Sequence, residues 1–235
     1  MTTKTLSRRT SRAEETRSRI YQTAMQLFRE KGFESTTMRD IAAEAGVALG
    51  AAYYYFPSKE AFVLAFYEEM QELRQQELET AASENKTLKA RLQAMFDVCF
   101  DQFQPNRRFL GALVRHAPDP DDPLSPFSKE TRAIREKAIS YFATALEASD
   151  FKVPPDLKPH LPTLLWMYQM SLILFWIHDR SPGQQRTRQL NEKSLALVIN
   201  LLKVSSLPLM GRIRKIIIEL MEAVAPQVQT PETAH

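Results

Sequence analysis

The sequence predicts an all-α fold: an N-terminal three-helix helix-turn-helix unit followed by a larger helical domain. Three observations carry this expectation. Apolar residues recur at helical spacing through nearly every segment, and prolines mark the breaks between segments. Only 6 glycines occur in 235 residues and alternating β-branched runs are few, which argues against a sheet. Residues 32–64, GFESTTMRDIAAEAGVALGAAYYYFPSKEAFVL, set two short helix patterns around Gly46, then a tyrosine cluster and a Ser-Lys-Glu helix start. In such a layout the second helix enters the DNA major groove and the first crosses the backbone.

Each element has a local reason. A first helix over 12–31 places Ile20, Ala24, Leu27 and Phe28 on one face, and Gly32 suits its left-handed C-terminal cap. Thr36 or Thr37 caps a second helix whose inner face is Met38, Ile41, Ala42 and Ala45. Gly46 ends it, and Val47 plugs the crossing of the two helices. A third, short helix over 48–54 precedes Phe56-Pro57, where proline forces a bend. Ser58 caps a fourth helix that carries Phe62, Phe66 and Met70 into the next layer. Further helices are expected near 84–103, 106–116, 126–148, 156–178, 187–204 and 207–224, separated by proline-marked breaks. The Pro/Asp-rich run 118–123 reads as a flexible loop. The expected division is a basic flexible arm at 1–11, a helix-turn-helix domain at 12–60, a helical domain at 61–226 and a frayed tail at 227–235.

Composition bounds the function. A single cysteine, Cys99, allows no internal disulfide framework and suits a reducing cytoplasm; it reads as a small buried hydrophobe. No apolar stretch follows the basic start, so no signal peptide is expected. The most apolar window, 161–177, contains Pro162, Gln169 and Ser171, is short for a membrane span, and reads as a buried helix. The net charge of +3 lies entirely in residues 1–60, which hold 10 Lys/Arg against 7 Asp/Glu. A basic arm beside a DNA-reading helix can neutralise phosphates; a solvated terminus is the other reading. His116, His160, His178 and His235 lie far apart, and no phosphate loop, nucleophile elbow or metal-ligand spacing occurs. No enzyme, no metal and no cofactor are expected. A helical adaptor that does not read DNA sequence is the competing class.

Ten or so positions in one register then carry a family resemblance. Phe28, Gly32-Phe33, Thr36-Thr37, Ile41-Ala42, Ala45-Gly46-Val47, Gly50, Tyr53, Phe56 and Ser58-Lys59-Glu60 resemble the DNA-binding domain of the tetracycline-repressor (TetR) family of bacterial transcriptional regulators. The resemblance covers about residues 12–64 and implies an all-helical homodimer with a larger ligand-binding and dimerisation domain. It implies that a small molecule loosens DNA binding, most simply as a repressor leaving its operator. It also implies that Tyr53 and Tyr54 donate to phosphates while Phe56 is core. Two positions depart from the usual pattern: Ala48 stands where serine is common, and Tyr55 where histidine is common.

The residues themselves suggest roles at the DNA face. Gly50 permits close backbone approach, or serves packing. Leu49 and Ala51 can touch thymine methyls, and Ala48 opens the same helix. Lys59 can reach a phosphate at a helix start. Thr37 is either a phosphate contact or a cap, and Arg39 meets the backbone or water. A dimer should read a palindromic operator, with half-sites about one helical turn or a multiple apart.

In the second domain, Leu164, Leu165, Tyr168, Ser171, Leu172, Phe175 and Trp176 form one apolar band, and Leu195, Leu197, Val198, Leu201 and Leu202 form another, with packing inside one subunit as the alternative to a subunit contact. Together they are expected to build a four-helix dimer interface. The last helix, with Ile213, Ile216, Ile217, Leu220 and Met221 on one side, reads as a lid on that core. Phe96, Phe100, Phe103, Leu110, Leu113, Phe142, Trp166 and Met170 are the candidates to line a cavity for an apolar or amphipathic effector, with plain core as the alternative. Arg115 and His116 are candidates to orient a polar end.

Overall fold

The computed structural model describes residues 3–84 and 87–224, and every regular element among them is helical. The helices are α1 (Thr3–Glu30), α2 (Met38–Glu44), α3 (Leu49–Tyr55), α4 (Lys59–Glu84), α5 (Leu88–Phe103), α6 (Arg107–Leu113), α7 (Arg132–Glu147), α8 (Leu161–His178), α9 (Gln185–Ser205) and α10 (Gly211–Val224). The tail at 227–235 lies outside the described residues, as do the side chains of 1–11 and of Met221.

α1 starts at Thr3, well before the expected position near residue 12, so the backbone of 3–11 continues the helix. Gly32 (φ 91°) ends α1 and Gly46 (φ 64°) ends α2, both in the left-handed region that a side chain would disfavour. Between them Thr36 is fully buried and donates its hydroxyl to the Gly32 carbonyl at 2.8 Å, which leaves the capping of α2 to Thr37. The Asp40 amide donates to Thr37 Oγ1 at 3.2 Å, while the Thr37 amide and hydroxyl donate to Asp40 Oδ2 at 2.9 and 2.6 Å. This reciprocal capping box holds the Asp40 carboxyl below its ordinary pKa.

Ile20, Ala24, Phe28, Ile41, Ala52, Phe56, Phe62 and Phe66 form the core of the N-terminal unit. α4 leaves that unit and packs on α5 and α7. Tyr21 on α1 donates to Glu69 at 2.6 Å, and Tyr141 on α7 donates to the Gln71 carbonyl at 3.2 Å, so α4 is tied on both sides. α8 is apolar and long enough to cross a membrane by length and composition alone. Here Leu165, Trp166, Gln169, Leu172 and Trp176 are buried within the chain, as the sequence led us to expect of a core helix.

Three expectations need correction. α7 starts at Arg132 and not near 126, because hydroxyls compete with the helix for the backbone. Ser125 Oγ accepts from the Phe127 amide, Ser128 Oγ accepts from the Thr131 amide, and the Thr131 hydroxyl donates to the Ser125 carbonyl at 2.7 Å. α8 starts at Leu161, since the Pro154 carbonyl accepts from Leu157 and Lys158 in a preceding turn. α10 is no lid: Ile213, Ile216, Ile217 and Leu220 all face outward. Its anchor is polar, with Arg214 donating to Asp156 at 2.6 Å and to the Ser205 carbonyl at 2.6 Å.

α6 is held at its start by the C-terminus of α8. Arg107 is half-buried and donates to the carbonyls of Trp176 (3.1 and 2.9 Å), Ile177 (3.0 Å) and Asp179. Carbonyls at a helix end have no partner within the helix, so a fixed guanidinium there both caps α8 and positions α6. Burial by itself would raise the Asp179 carboxyl, but the amides and hydroxyls of Ser181 and Thr187 donate to it and keep its pKa below the usual range. Arg107→Ala should lower stability by about 1.5–3 kcal/mol, the usual worth of hydrogen bonds to a charged group, as measured by denaturant unfolding.

Candidate nucleic-acid interface and internal cavity

α3 turns a single residue fully inward. Ala52 is buried at 0% exposure, whereas Leu49 (38%), Tyr53 (47%) and Tyr54 (81%) stand in solvent beside exposed Ala48 and Gly50 and half-buried Ala51. A Cβ at Gly50 would meet no atom within 4 Å and its φ is not positive, so neither packing nor a turn within the chain calls for glycine. Arg39 projects from α2 and is exposed. At positions 49, 50, 53 and 54 the exposed residues of α3 lie on one side of the helix, opposite Ala52.

Two expected contacts are already engaged within the chain. The Thr37 hydroxyl is committed to Asp40, which realises the capping alternative. Lys59 Nζ donates to the Phe33 carbonyl at 2.9 Å and lies 4.5 Å from the centre of the Phe33 ring. Its ammonium therefore locks the turn after α1 and retains its other protons for a phosphate. Arg17 reaches across to the Phe56 ring, 4.9 Å from its centroid, and places a further cation beside α3.

Behind this unit lies an apolar cavity of about 360 Å³ among α4, α5, α6, α7 and α8. Of the eight residues expected at a cavity, Phe103, Leu110, Leu113, Trp166 and Met170 line it. Phe96 and Phe142 do not: they sit 6.2 Å apart, ring to ring, in the packed core of α5 and α7. Phe100 instead faces a smaller pocket of about 240 Å³ with Trp176 and Asn191. Sequence reasoning missed Tyr67, Gln71, Arg135 and Gln169 on the wall of the larger cavity. Gln169 carried a usable signal, as a polar residue inside an apolar helix. Arg115 and His116 lie elsewhere, Arg115 in an ion pair with Glu34 and His116 2.5 Å from Asp122.

α6 separates cavity and DNA face. Leu110 and Leu113 point into the cavity, while Phe109 enters the N-terminal core. Phe109 stacks on Phe28 with centroids 5.5 Å apart and planes 4° from parallel, and Phe66 meets it edge-on at 5.4 Å.

The expected dimer bands divide in two. Leu165, Leu172, Trp176, Leu195 and Leu202 are buried in the chain's own core, so they are not a subunit surface. Leu164, Tyr168 and Val198 are half-buried, and Tyr168 shares a 2.6 Å hydrogen bond with Ser194. Phe175 and Leu201 are exposed and extend a stripe with Met167 and Leu174 of α8 and Leu190, Leu197 and Val204 of α9.

Residues 20–66 match the family profile of bacterial regulatory proteins, tetR family, and residues 91–217 match the tetracyclin repressor-like C-terminal domain. The chain belongs to the TetR family. It is thus a DNA-binding transcriptional regulator of a non-enzymatic family. It is similar to the HTH-type regulators YerO (32% identical) and YttP (33%) of Bacillus subtilis, in alignments covering 43% and 53% of this chain. The chain spans only 35% and 60% of the length of those two relatives. Its fold resembles Thermus thermophilus FadR, a TetR-family repressor solved with lauroyl-CoA, at 24% identity and a TM-score of 0.55 over 77% of this chain and 93% of the other.

In this regulator Tyr54→Phe should weaken binding to all DNA sequences alike and leave the melting temperature unchanged. Lys59→Ala should weaken binding and also cost about 1.5–3 kcal/mol of stability, because the Phe33 carbonyl loses a charged donor. Leu49→Ala should relax preference at particular bases. Anisotropy titrations on specific and random DNA, paired with thermal melts, read all three; an unchanged melt for Lys59→Ala would refute its bond to Phe33.

Proposed function

We propose that this chain is a repressor that binds a palindromic operator as a homodimer and releases it when a small, largely apolar effector occupies the cavity. The observation that carries this reading is the two-faced α6, with Leu110 and Leu113 on the cavity and Phe109 stacked into the core beneath the DNA face. A ligand that displaces α6 displaces the support of α1 with it. α4 offers a parallel route, since it begins beside α3 and brings Met70 to the cavity wall. The release step is a population shift, so the effector must bind the DNA-incompetent arrangement more tightly than the competent one.

Two further observations support the reading. The apolar stripe on α8 and α9 stays exposed in the single chain, and a two-fold dimer would bury it. The lauroyl-CoA bound by the Thermus regulator supports an effector with an apolar body, because the cavity wall here is predominantly aliphatic and aromatic.

Selection of genome fragments by the purified protein at two salt concentrations tests the proposal. An enriched palindrome bound by a dimer is the expected result, with affinity falling as salt rises. Leu201→Asp, which puts a charge on the exposed stripe, should yield monomers by analytical ultracentrifugation and abolish binding to the palindrome. Salt-sensitive binding without a preferred site would count against an operator-specific repressor.

A further inference from the structure

We propose that the effector is an amphipathic carboxylate, its apolar chain inside the cavity and its carboxylate paired with Arg135. This rests on the preceding reading that the cavity is the effector site, and it adds the chemistry of the head group.

Charge on the cavity wall is the first argument. Arg135 is its one charged side chain among the described residues, and no Asp or Glu lines it. The neighbouring acid, Glu136, pairs instead with Arg132 at 2.7 Å. No described carboxylate lies within ion-pair distance of Arg135. A half-buried cation without a paired carboxylate is costly, and burial lowers the pKa of this guanidinium despite the more distant attraction of Glu136. A cationic ligand would add repulsion; an anion removes the imbalance.

Geometry is the second. Arg135 Nη1 donates to the Pro126 carbonyl at 2.8 Å and to the Ser128 carbonyl at 3.0 Å. Those bonds use both protons of one nitrogen and fix the guanidinium plane. Nε and Nη2 donate to no described residue and present the forked edge that a carboxylate accepts with both oxygens. Among the other polar groups on the wall, the Tyr67 phenol, kept neutral because burial raises its pKa, can add a hydrogen bond to a carboxylate but supplies no charge. The Thr131 hydroxyl donates to the Ser125 carbonyl and that of Ser171 to the Met167 carbonyl. Gln71 donates to the Ile134 carbonyl, and its buried Oε1, which has no partner, asks for a donor elsewhere on the ligand. Gln169, 3% exposed, also lines the wall and offers a neutral amide to the same ligand.

Size sets the class. At about 360 Å³ the cavity is near the lower end of small-molecule sites, about 300–1,000 Å³, so a medium-chain acid fits within it, whereas the coenzyme A part of a thioester would have to lie outside.

The test is calorimetric titration of the full-length protein with decanoate, decanol and decanoyl-CoA, together with release of bound operator DNA. Decanoate should bind and release operator. Arg135→Gln should weaken decanoate about 30-fold, the low end for removing one partner of a desolvated charge pair, and change decanol less than about threefold. Arg135→Lys keeps the charge and loses the fork, so it should fall between the two. Thermal melts of both variants separate loss of binding from loss of fold, and a folded Arg135→Lys that binds decanoate like the wild type overturns the fork geometry. If decanol or decanoyl-CoA binds and releases operator while decanoate does not, the carboxylate proposal is overturned and the effector reading stands. If none of the three binds, both fall.

Discussion

The parallel stack of Phe28 on Phe109 joins two hydrophobic cores that the chain builds from separate stretches. Phe28 comes from α1, the helix behind the DNA face, and Phe109 from α6, the helix that walls the cavity. Around the pair, Phe33, Phe62 and Phe66 fill the remaining directions at centroid distances of 5.1 to 6.1 Å. An aromatic pair of this kind contributes about 0.5–1.5 kcal/mol beyond its buried area, and dense packing lets little move independently. Displacement of either helix therefore strains the other.

That constraint needs α6 to be anchored elsewhere, and Arg107 supplies the anchor. Its guanidinium caps α8 within a network that continues through Asp179 to Ser181 and Thr187 at the start of α9. α8 and α9 carry the exposed apolar stripe on their outer faces, so cavity, DNA face and proposed subunit contact all meet helices tied to α6. A short helix pinned at its N-terminus and wedged by one ring can respond to a ligand as a lever, where a loop would absorb the displacement.

The helix-turn-helix unit was legible in the sequence because its signals are local. Gly32, Thr37, Gly46 and Pro57 punctuate the chain within a few residues of the elements they end or begin, and both glycines take positive φ. Leu49, Tyr53 and Tyr54, read in the sequence as DNA-facing, are exposed, while the structure turns Ala52 inward on this short helix. The wedge was not legible: nothing near Phe109 marks it as the partner of Phe28, since the pairing is long-range. Core and interface are also inseparable by periodicity: Leu165, Leu172, Trp176, Leu195 and Leu202 fit an interface pattern yet pack in the chain's own core. Gln71 and Arg135 were missed for the opposite reason, because polar residues on a helix ordinarily read as its solvent side. α10 shows the converse, with an apolar face that helical pattern alone assigns to a core.

Amide hydrogen exchange of the wild type and Phe109→Leu tests the central coupling most directly. If the ring ties the cavity wall to the DNA-binding unit, protection should fall together in α6 and in residues 24–33, while α9 stays unchanged. Loss confined to residues 107–113, with α1 as protected as before, would contradict a mechanical link through Phe109.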